Sequence, residues 1–209
     1  MLSVLSHLSS SDDAHLDEYT HAQLTLFEQL TSKIQQHIGY EFMKRIANTA
    51  AILRFPTAQY DMVRLGIGLY GIDPSGMAEL WPVISLKSHI SQIHYLKKGD
   101  TVGYGNSGKI VADTRIAVIP VGYADGIDRR LGNGVGEICI HDQLAPIVGQ
   151  ICMDMCMVDL KSIEAREGDE VTLIGKELSL NNIAVKLETI PYEILTRIPQ
   201  RVKRIYFFE

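Results

Sequence analysis

Thr114-Arg115-Ile116-Ala117-Val118-Ile119-Pro120-Val121-Gly122-Tyr123-Ala124-Asp125-Gly126 is the stretch that decides how this chain is read. Its β-branched residues predict a strand over 114–121, and Gly122 to Gly126 then form a turn that carries a tyrosine. The longest apolar run of the sequence, Ile116 to Ala124, lies inside it and is broken by Pro120 and Gly122. That is far short of the roughly 20 residues a membrane helix needs. Similar runs flank it: Val83 to Leu96, Gly136 to Ile140, Ala145 to Val148, Ile151 to Leu160, Glu170 to Ile174 and Arg201 to Phe208. Lys98-Gly99-Asp100, Gly132-Asn133-Gly134 and Glu167-Gly168-Asp169 separate them as turns. With no helix expected before about Asn181, the pattern predicts a β-rich barrel or sandwich over residues 76–209.

Residues 1–75 read differently. Leu16, Tyr19, Leu24, Phe27, Leu30, Ile34 and Ile38 recur at helical spacing after the capping-type run Ser11-Asp12-Asp13, and Gly39 stops that helix. Phe42 to Ile46 is a short strand-like run that enters the small residues Ala47-Asn48-Thr49-Ala50-Ala51, and Met62 to Tyr70 is a second, interrupted by Gly66 and Gly68. Strand, turn, helix, strand is the rhythm of βα units. The expected class is therefore α/β plus all-β, with the boundary near Pro74-Ser75-Gly76.

Over 209 residues, 20 basic side chains against 25 acidic ones give a net charge of −5. No basic surplus exists to neutralise a phosphate backbone, so nucleic acid is not an expected partner, and neither is a membrane. The start, MLSVLSHLSSS, lacks a basic region and a cleavage-site pattern. Three cysteines, an odd and low number, point to a reducing cytoplasm rather than a disulfide framework.

Arg64-Leu65-Gly66-Ile67-Gly68 sets an arginine just before backbone that a ligand can approach closely, and such N–H groups can hold a phosphate. In a (β/α) barrel the phosphate site usually follows the last two strands, and here the strand-like runs precede Asn48-Thr49 and Gly66-Ile67. Taken alone, glycines at a strand end serve packing or a bulge more often. Tyr104, between Gly103 and Gly105, and Tyr123 each sit where a ring can project into a cleft or pack on a neighbouring strand. A tyrosine acting as a base needs its pKa brought down from about 10 by positive charge or hydrogen bonds. Cys152-Met153-Asp154-Met155-Cys156 is read as a strand with both thiols on one face, buried and inert; no metal is expected.

These pieces, in this order, resemble the later part of bacterial alanine racemase, a fold-type III pyridoxal phosphate enzyme with a (β/α)8 barrel and a C-terminal β domain. The resemblance runs through Ser6-His7-Leu8, Asn48-Thr49-Ala50-Ala51, Asp61 to Ile67, Leu69-Tyr70-Gly71, Val102 to Gly105, Gly122 to Gly126, Ile151 to Asp154, Thr189 to Glu193 and Arg201 to Arg204. The chain also resembles the racemase portion of fusions in which a cell-wall ligase domain comes first. The resemblance implies the last strands of an incomplete (β/α)8 barrel over 1–75, followed by the β domain.

It further implies two-base racemisation of alanine with pyridoxal 5'-phosphate, supplying D-alanine for peptidoglycan. One group removes the α-proton and another returns a proton on the opposite face. Tyr104 matches the family's catalytic tyrosine, which reaches the other subunit's site, so a homodimer is implied. Arg64 matches the arginine facing the cofactor's pyridine nitrogen. Thr49, Gly66, Ile67 and Tyr192 match the phosphate-binding set, with threonine where serine is usual. Met153 matches the residue whose backbone N–H meets the substrate carboxylate, while Tyr123, Tyr192, Arg129 and Ile190 match positions lining the substrate's path inward.

Three departures stand out. No lysine sits in the context of the family's Schiff-base lysine, so Met1 reads as the start of a fragment or truncated frame and the 209 residues are expected to be inactive alone. Arg45 stands where a histidine usually meets the pyridine-facing arginine, and Gln150 where arginine is common. The rival expectation is a non-catalytic β domain that serves only as a binding or dimerisation module.

Overall fold

In the computed structural model, which describes residues 2–207, β1 (Ser3–Leu5) and β2 (Met43–Arg45) pair in parallel, Ser3 opposite Met43 and Leu5 opposite Arg45. Helix α1 (Asp17–Ile38) makes the crossover, so the three form a βαβ unit. Thr20, Leu24, Phe27 and Thr31 bury one stripe of α1, and the Thr31 hydroxyl satisfies itself on the Phe27 carbonyl at 2.8 Å. Leu16, Tyr19 and Leu30, which share the predicted periodicity, are exposed instead. Gly39 ends the helix in the left-handed region at φ 74°, donating to Gln35. A short 3-10 turn over Ala14–Leu16, capped by Asp13, precedes α1.

The polypeptide leaves β2 directly into α2 (Thr49–Arg54), whose first turn is capped by the Asn48 side chain accepting from the Ala51 N–H at 3.0 Å. Leu8, Leu24, Phe27, Ile46 and Phe55 form the core beneath, each contributing about 1.5–3 kcal/mol by burial. Arg54 ties α2 to α1 through Asp17 at 2.7 Å and lies over the Phe55 ring. This is the core of one compact unit, Met1–Val83; Ile84–Glu209 form another.

In the second unit a seven-stranded antiparallel sheet is assembled from β3 (Leu86–His89), β4 (Gln92–Leu96), β7 (Thr114–Ile119), β8 (Glu137–Ile140), β9 (Gln143–Val148), β10 (Cys156–Asp159) and β11 (Glu170–Ile174). The short hairpin β5 (Thr101–Val102) and β6 (Gly108–Lys109) stands outside it. Across the sheet the order is β3-β11-β8-β9-β10-β7-β4. Its two edges, β3 and β4, are consecutive in sequence and joined only by Ile90 and Ser91. Flat, seven strands would hold those edges about 29 Å apart, whereas two linking residues reach about 10 Å. The sheet therefore curls until its ends meet. Ile90 is buried at the corner and donates to the Asp169 carbonyl at 2.9 Å, while Ser91 donates to Val118. Ile116, Ile138, Ile140, Val158 and Val171 fill the interior. Helices α3 (Leu180–Leu187) and α4 (Pro191–Arg197) follow.

Several strand expectations are corrected. Met62 to Tyr70 is not a strand: Asp61 and Arg64 donate to the Lys44 and Ala47 carbonyls beside β2, but the Asp61 carboxylate takes the Lys44 N–H, so no regular ladder forms. Its last residues, Ile67–Tyr70, make a 3-10 turn. Val83 to Leu96 is two strands about the Ile90 corner. Ile151 to Met155 is a turn closed by Cys152 donating to Met155, and only Cys156–Asp159 is strand, so the two thiols do not share a strand face. Arg201 to Phe207 pairs with no strand, and Phe208 lies outside the described residues. There the Arg204 guanidinium gathers the carbonyls of Ile198, Pro199 and Val202 instead.

Candidate functional site

In the first unit the site is built where α2 begins. Thr49, its first residue, is buried, and its Oγ1 accepts from the Gly66 N–H at 3.1 Å and the Gly68 N–H at 3.2 Å. The loop is drawn in so closely that a Cβ on Gly68 would meet Leu65 and Thr49 side-chain carbons at 2.8 Å. Ile67 between them is buried, anchoring the loop by its side chain. Thr49 and the adjacent pair Gly66-Ile67, 17 residues further on, are thus one cluster.

Arg64 immediately precedes this loop, and its orientation is fixed by acceptors. One terminal nitrogen donates to the Ser6 carbonyl at 2.8 Å and the Ile46 carbonyl at 3.0 Å, and lies 3.0 Å from His7 Nδ1. These groups sit just beyond the ends of β1 and β2. The Arg64 Nε is buried with no partner, a donor whose desolvation is uncompensated within the chain. Arg45 points elsewhere, with a terminal nitrogen 3.7 Å from Met62 Sδ. The two cations therefore coexist because carbonyl oxygens, not a histidine at position 45, hold Arg64.

Tyr104, Tyr123, Met153, Arg129, Ile190 and Tyr192 belong to the second unit, and Tyr123 with Met153 forms a cluster. Tyr104 heads the β5–β6 hairpin and is 70% exposed. Gly103 before it adopts φ 77°, and a Cβ there would meet the Gln150 backbone nitrogen at 3.2 Å. Val102, Ile110, Ile116 and Met157 form a buried cluster in and around that hairpin, so an exposed tyrosine is carried on a packed base.

The Tyr123 and Met153 loops are stitched together by backbone bonds from Tyr123 N–H to the Cys152 carbonyl and from Ala124 N–H to the Met153 carbonyl, both 3.0 Å. Both side chains are exposed, and the Met153 N–H itself makes no hydrogen bond among the described residues. Arg129 donates to the Gln150 side chain. Ile190 and Tyr192 lie exposed at the start of α4.

Asp128, beside Arg129, binds Arg130 at 2.9 Å and also Arg197 on α4. The Arg130 hydrogen bond is the main cause of its pKa falling to about 2. Arg130 in turn donates to the Leu187 carbonyl, fastening the end of α3.

No group of three metal-ligating side chains occurs among the described residues, and no helix among them is long and apolar enough to cross a membrane. All three cysteines are free; Cys139 and Cys156 are buried and Cys152 is half-buried. Burial pushes the Cys156 thiol up to about 12.

Sequence reasoning by residue chemistry missed Ser6 and His7 as neighbours of Arg64, and Gly68 as the second donor to Thr49. A three-residue strand carries too little pattern to reveal the first, although Ser6-His7-Leu8 lay among the motifs carrying the resemblance.

A βαβ unit with a glycine loop bonded to a helix-start hydroxyl, and a curled β domain with exposed tyrosines, define a two-part layout with a known family counterpart. Residues 1–74 match the model described as alanine racemase, N-terminal domain, and residues 83–206 that described as alanine racemase, C-terminal domain. The chain belongs to the alanine racemase family and has its fold, an N-terminal barrel part plus a C-terminal β domain. Among curated relatives, alanine racemase 1 of Clostridium acetobutylicum is 36% identical over 97% of this chain and 55% of its own length. Alanine racemase of Cutibacterium acnes is 40% identical over 97% of this chain and 56% of its own. The Bartonella henselae alanine racemase structure with covalently bound pyridoxal phosphate superposes at a TM-score of 0.89, with 33% identity over 99% of this chain and 57% of that one. The chain spans about half the length of the curated relatives it matches.

Proposed function

We propose that this chain is the C-terminal part of a pyridoxal 5'-phosphate-dependent alanine racemase that interconverts L- and D-alanine for peptidoglycan synthesis in the cytoplasm. On this reading residues 1–75 supply the last strands of a (β/α)8 barrel. The observation that carries it is Arg64: three acceptors fix its terminal nitrogen while its Nε is buried and unpartnered, in the residue two places before Gly66. A buried donor without a partner suits an acceptor that a bound molecule provides, such as a pyridine nitrogen. The Thr49 hydroxyl, whose oxygen accepts from Gly66 and Gly68 and whose proton is left to donate, together with the Ile67 N–H, which donates to no group among the described residues, suits a phosphate. The residues present fit the cofactor.

When bound, pyridoxal phosphate supplies a conjugated ring that draws electrons from the substrate α-carbon. Thr49, Gly66 and Ile67 would hold its phosphate, and the family resemblance adds Tyr192 to that set. Arg64, a permanent cation, would face the pyridine nitrogen and favour its unprotonated form. The Met153 N–H meets the substrate carboxylate, and Tyr123, Arg129 and Ile190 line the path inward. Tyr104 carries the proton on one face of the α-carbon. Its exposure supports a role in a second subunit's site, hence a homodimer. No lysine of these residues matches the family's Schiff-base lysine, so the 209 residues by themselves do not racemise alanine. Three free cysteines accord with a reducing compartment.

A second reading, a β domain that acts only as a binding or dimerisation module, draws on the closure of the curled sheet around its own core. One experiment separates the two. The chain is joined behind the preceding barrel segment of a matched racemase and assayed for conversion of L- to D-alanine. Racemisation that falls at least about a hundredfold with Tyr104→Phe supports the enzyme reading. A folded, cofactor-loaded chimera with no racemisation refutes it, and racemisation by the 209 residues alone refutes the inactivity of the fragment.

A further inference from the structure

The Tyr123 and Met153 loops present side chains and an N–H outward, yet neither belongs to a strand or a long helix. What aims them is found one segment further on. Arg201 donates from Nε to Asp125 Oδ1 at 3.0 Å and from a terminal nitrogen to Asp154 Oδ1 at 2.8 Å. Asp125 is the residue whose other oxygen accepts the Gly122 N–H at 2.9 Å, closing the Tyr123 turn. Asp154 directly follows Met153. A planar guanidinium has its donors in a rigid fork, so one residue fixes two carboxylates from two loops in a single plane. Beneath this clamp Gly122 leaves no slack, because a Cβ there would lie 2.3 Å from the Cys152 carbonyl oxygen. On the far side the turn abuts α4, where a Cβ on Gly126 would lie 2.9 Å from the Arg197 carbonyl oxygen.

Without Arg201, Asp125 and Asp154 would be two carboxylates facing one another across the stitched loops, and their repulsion would push the loops apart. The half-exposed guanidinium contributes little to overall stability. Its effect is local and geometric.

We propose that Arg201 is a positioning residue: by bridging Asp125 and Asp154 it holds the Tyr123 and Met153 loops as one wall and so sets the aim of the free Met153 N–H. The part of this that concerns substrate rests on the reading of Met153 as a carboxylate-binding position.

The test uses the 209-residue chain. Amide hydrogen exchange is measured by NMR in wild type, Arg201→Gln, Arg201→Lys and Asp154→Asn, and the Met153 amide is followed during titration with sodium acetate. Arg201→Gln is expected to speed exchange at Tyr123 and Ala124 by about tenfold while Ala117 and Val158 in the sheet stay within about threefold. Arg201→Lys, a point charge able to serve one carboxylate at a time, recovers part of the protection. Asp154→Asn, which removes the repulsion together with one partner, opens the loops less than Arg201→Gln does. Unchanged exchange at Tyr123 and Ala124 overturns the proposal. So does faster exchange throughout the sheet, which would make Arg201 a general stabiliser. A saturable acetate shift at Met153 that disappears in Arg201→Gln supports the link to substrate. Selective loosening with no acetate response in wild type upholds the clamp and overturns the carboxylate reading of Met153.

Discussion

Gly122→Ala should be far more damaging than its small size suggests, and the cause is contact alone. Gly122 has φ −136° and ψ −161°, extended backbone open to any residue, so no conformational penalty enters. The added Cβ would meet the Cys152 oxygen at 2.3 Å, the Met153 oxygen at 2.4 Å and the Met153 carbonyl carbon at 2.5 Å. All three are backbone atoms, so relief requires the loops to separate by about 1 Å. The two oxygens accept from Tyr123 and Ala124 at 3.0 Å, and at about 4 Å those hydrogen bonds are gone. Two bonds at about 1 kcal/mol each and overpacking of about 1–3 kcal/mol give about 3–5 kcal/mol. For a unit of this size that corresponds to a fall in melting temperature of roughly 10 °C or more. Calorimetry with amide exchange at Tyr123 and Ala124 is the assay. Gly134→Ala is the control, because it meets nothing within 4 Å but has φ +86°, for a cost of about 1 kcal/mol from backbone strain alone. If Gly122→Ala melts within about 2 °C of wild type with both amides still protected, the steric argument is wrong.

Two further outcomes follow from electrostatics and burial. Asp128 has its pKa lowered to about 2, chiefly by Arg130, so its contribution is complete above the unfolded value of about 3.9 and is lost as pH falls towards 2. Asp128→Asn should therefore be less stable at neutral pH and lose at most about 2 kcal/mol less than wild type between pH 4 and pH 2 in urea titrations; equal acid slopes would contradict the ion-pair assignment. Under native conditions iodoacetamide should modify half-buried Cys152 first, while Cys156, buried with its thiol pushed up to about 12, reacts only on unfolding. Peptide mass spectrometry that finds Cys156 labelled first would show the β10 region to be open.

Sequence alone showed helical spacing over 11–38 and β-branched runs after the Pro74-Ser75-Gly76 stretch, because both are local signals that burial reinforces. Glu170–Ile174 was legible to the residue, and so was the stop at Gly39, where a left-handed backbone demands glycine. The ordered motifs also fixed the family, and with it the candidates Tyr104, Arg64 and Thr49. Only the tertiary structure decided which residues share a loop's fate. Met62 to Tyr70 has strand-like composition, but the Asp61 carboxylate competes for the Lys44 N–H, and such competition depends on what lies alongside. Curling of the sheet follows from the adjacency of β3 and β4 in sequence combined with their separation in strand order, which no single run encodes. Arg64 was legible as a cation; that Ser6 and Ile46 carbonyls hold it, leaving Nε unpaired, was not. The Arg201 clamp joins residues 47 and 76 positions away, and hydrogen bonds over such separations leave no periodicity in the sequence, because they are set by where turns bring the backbone rather than by the residues between them.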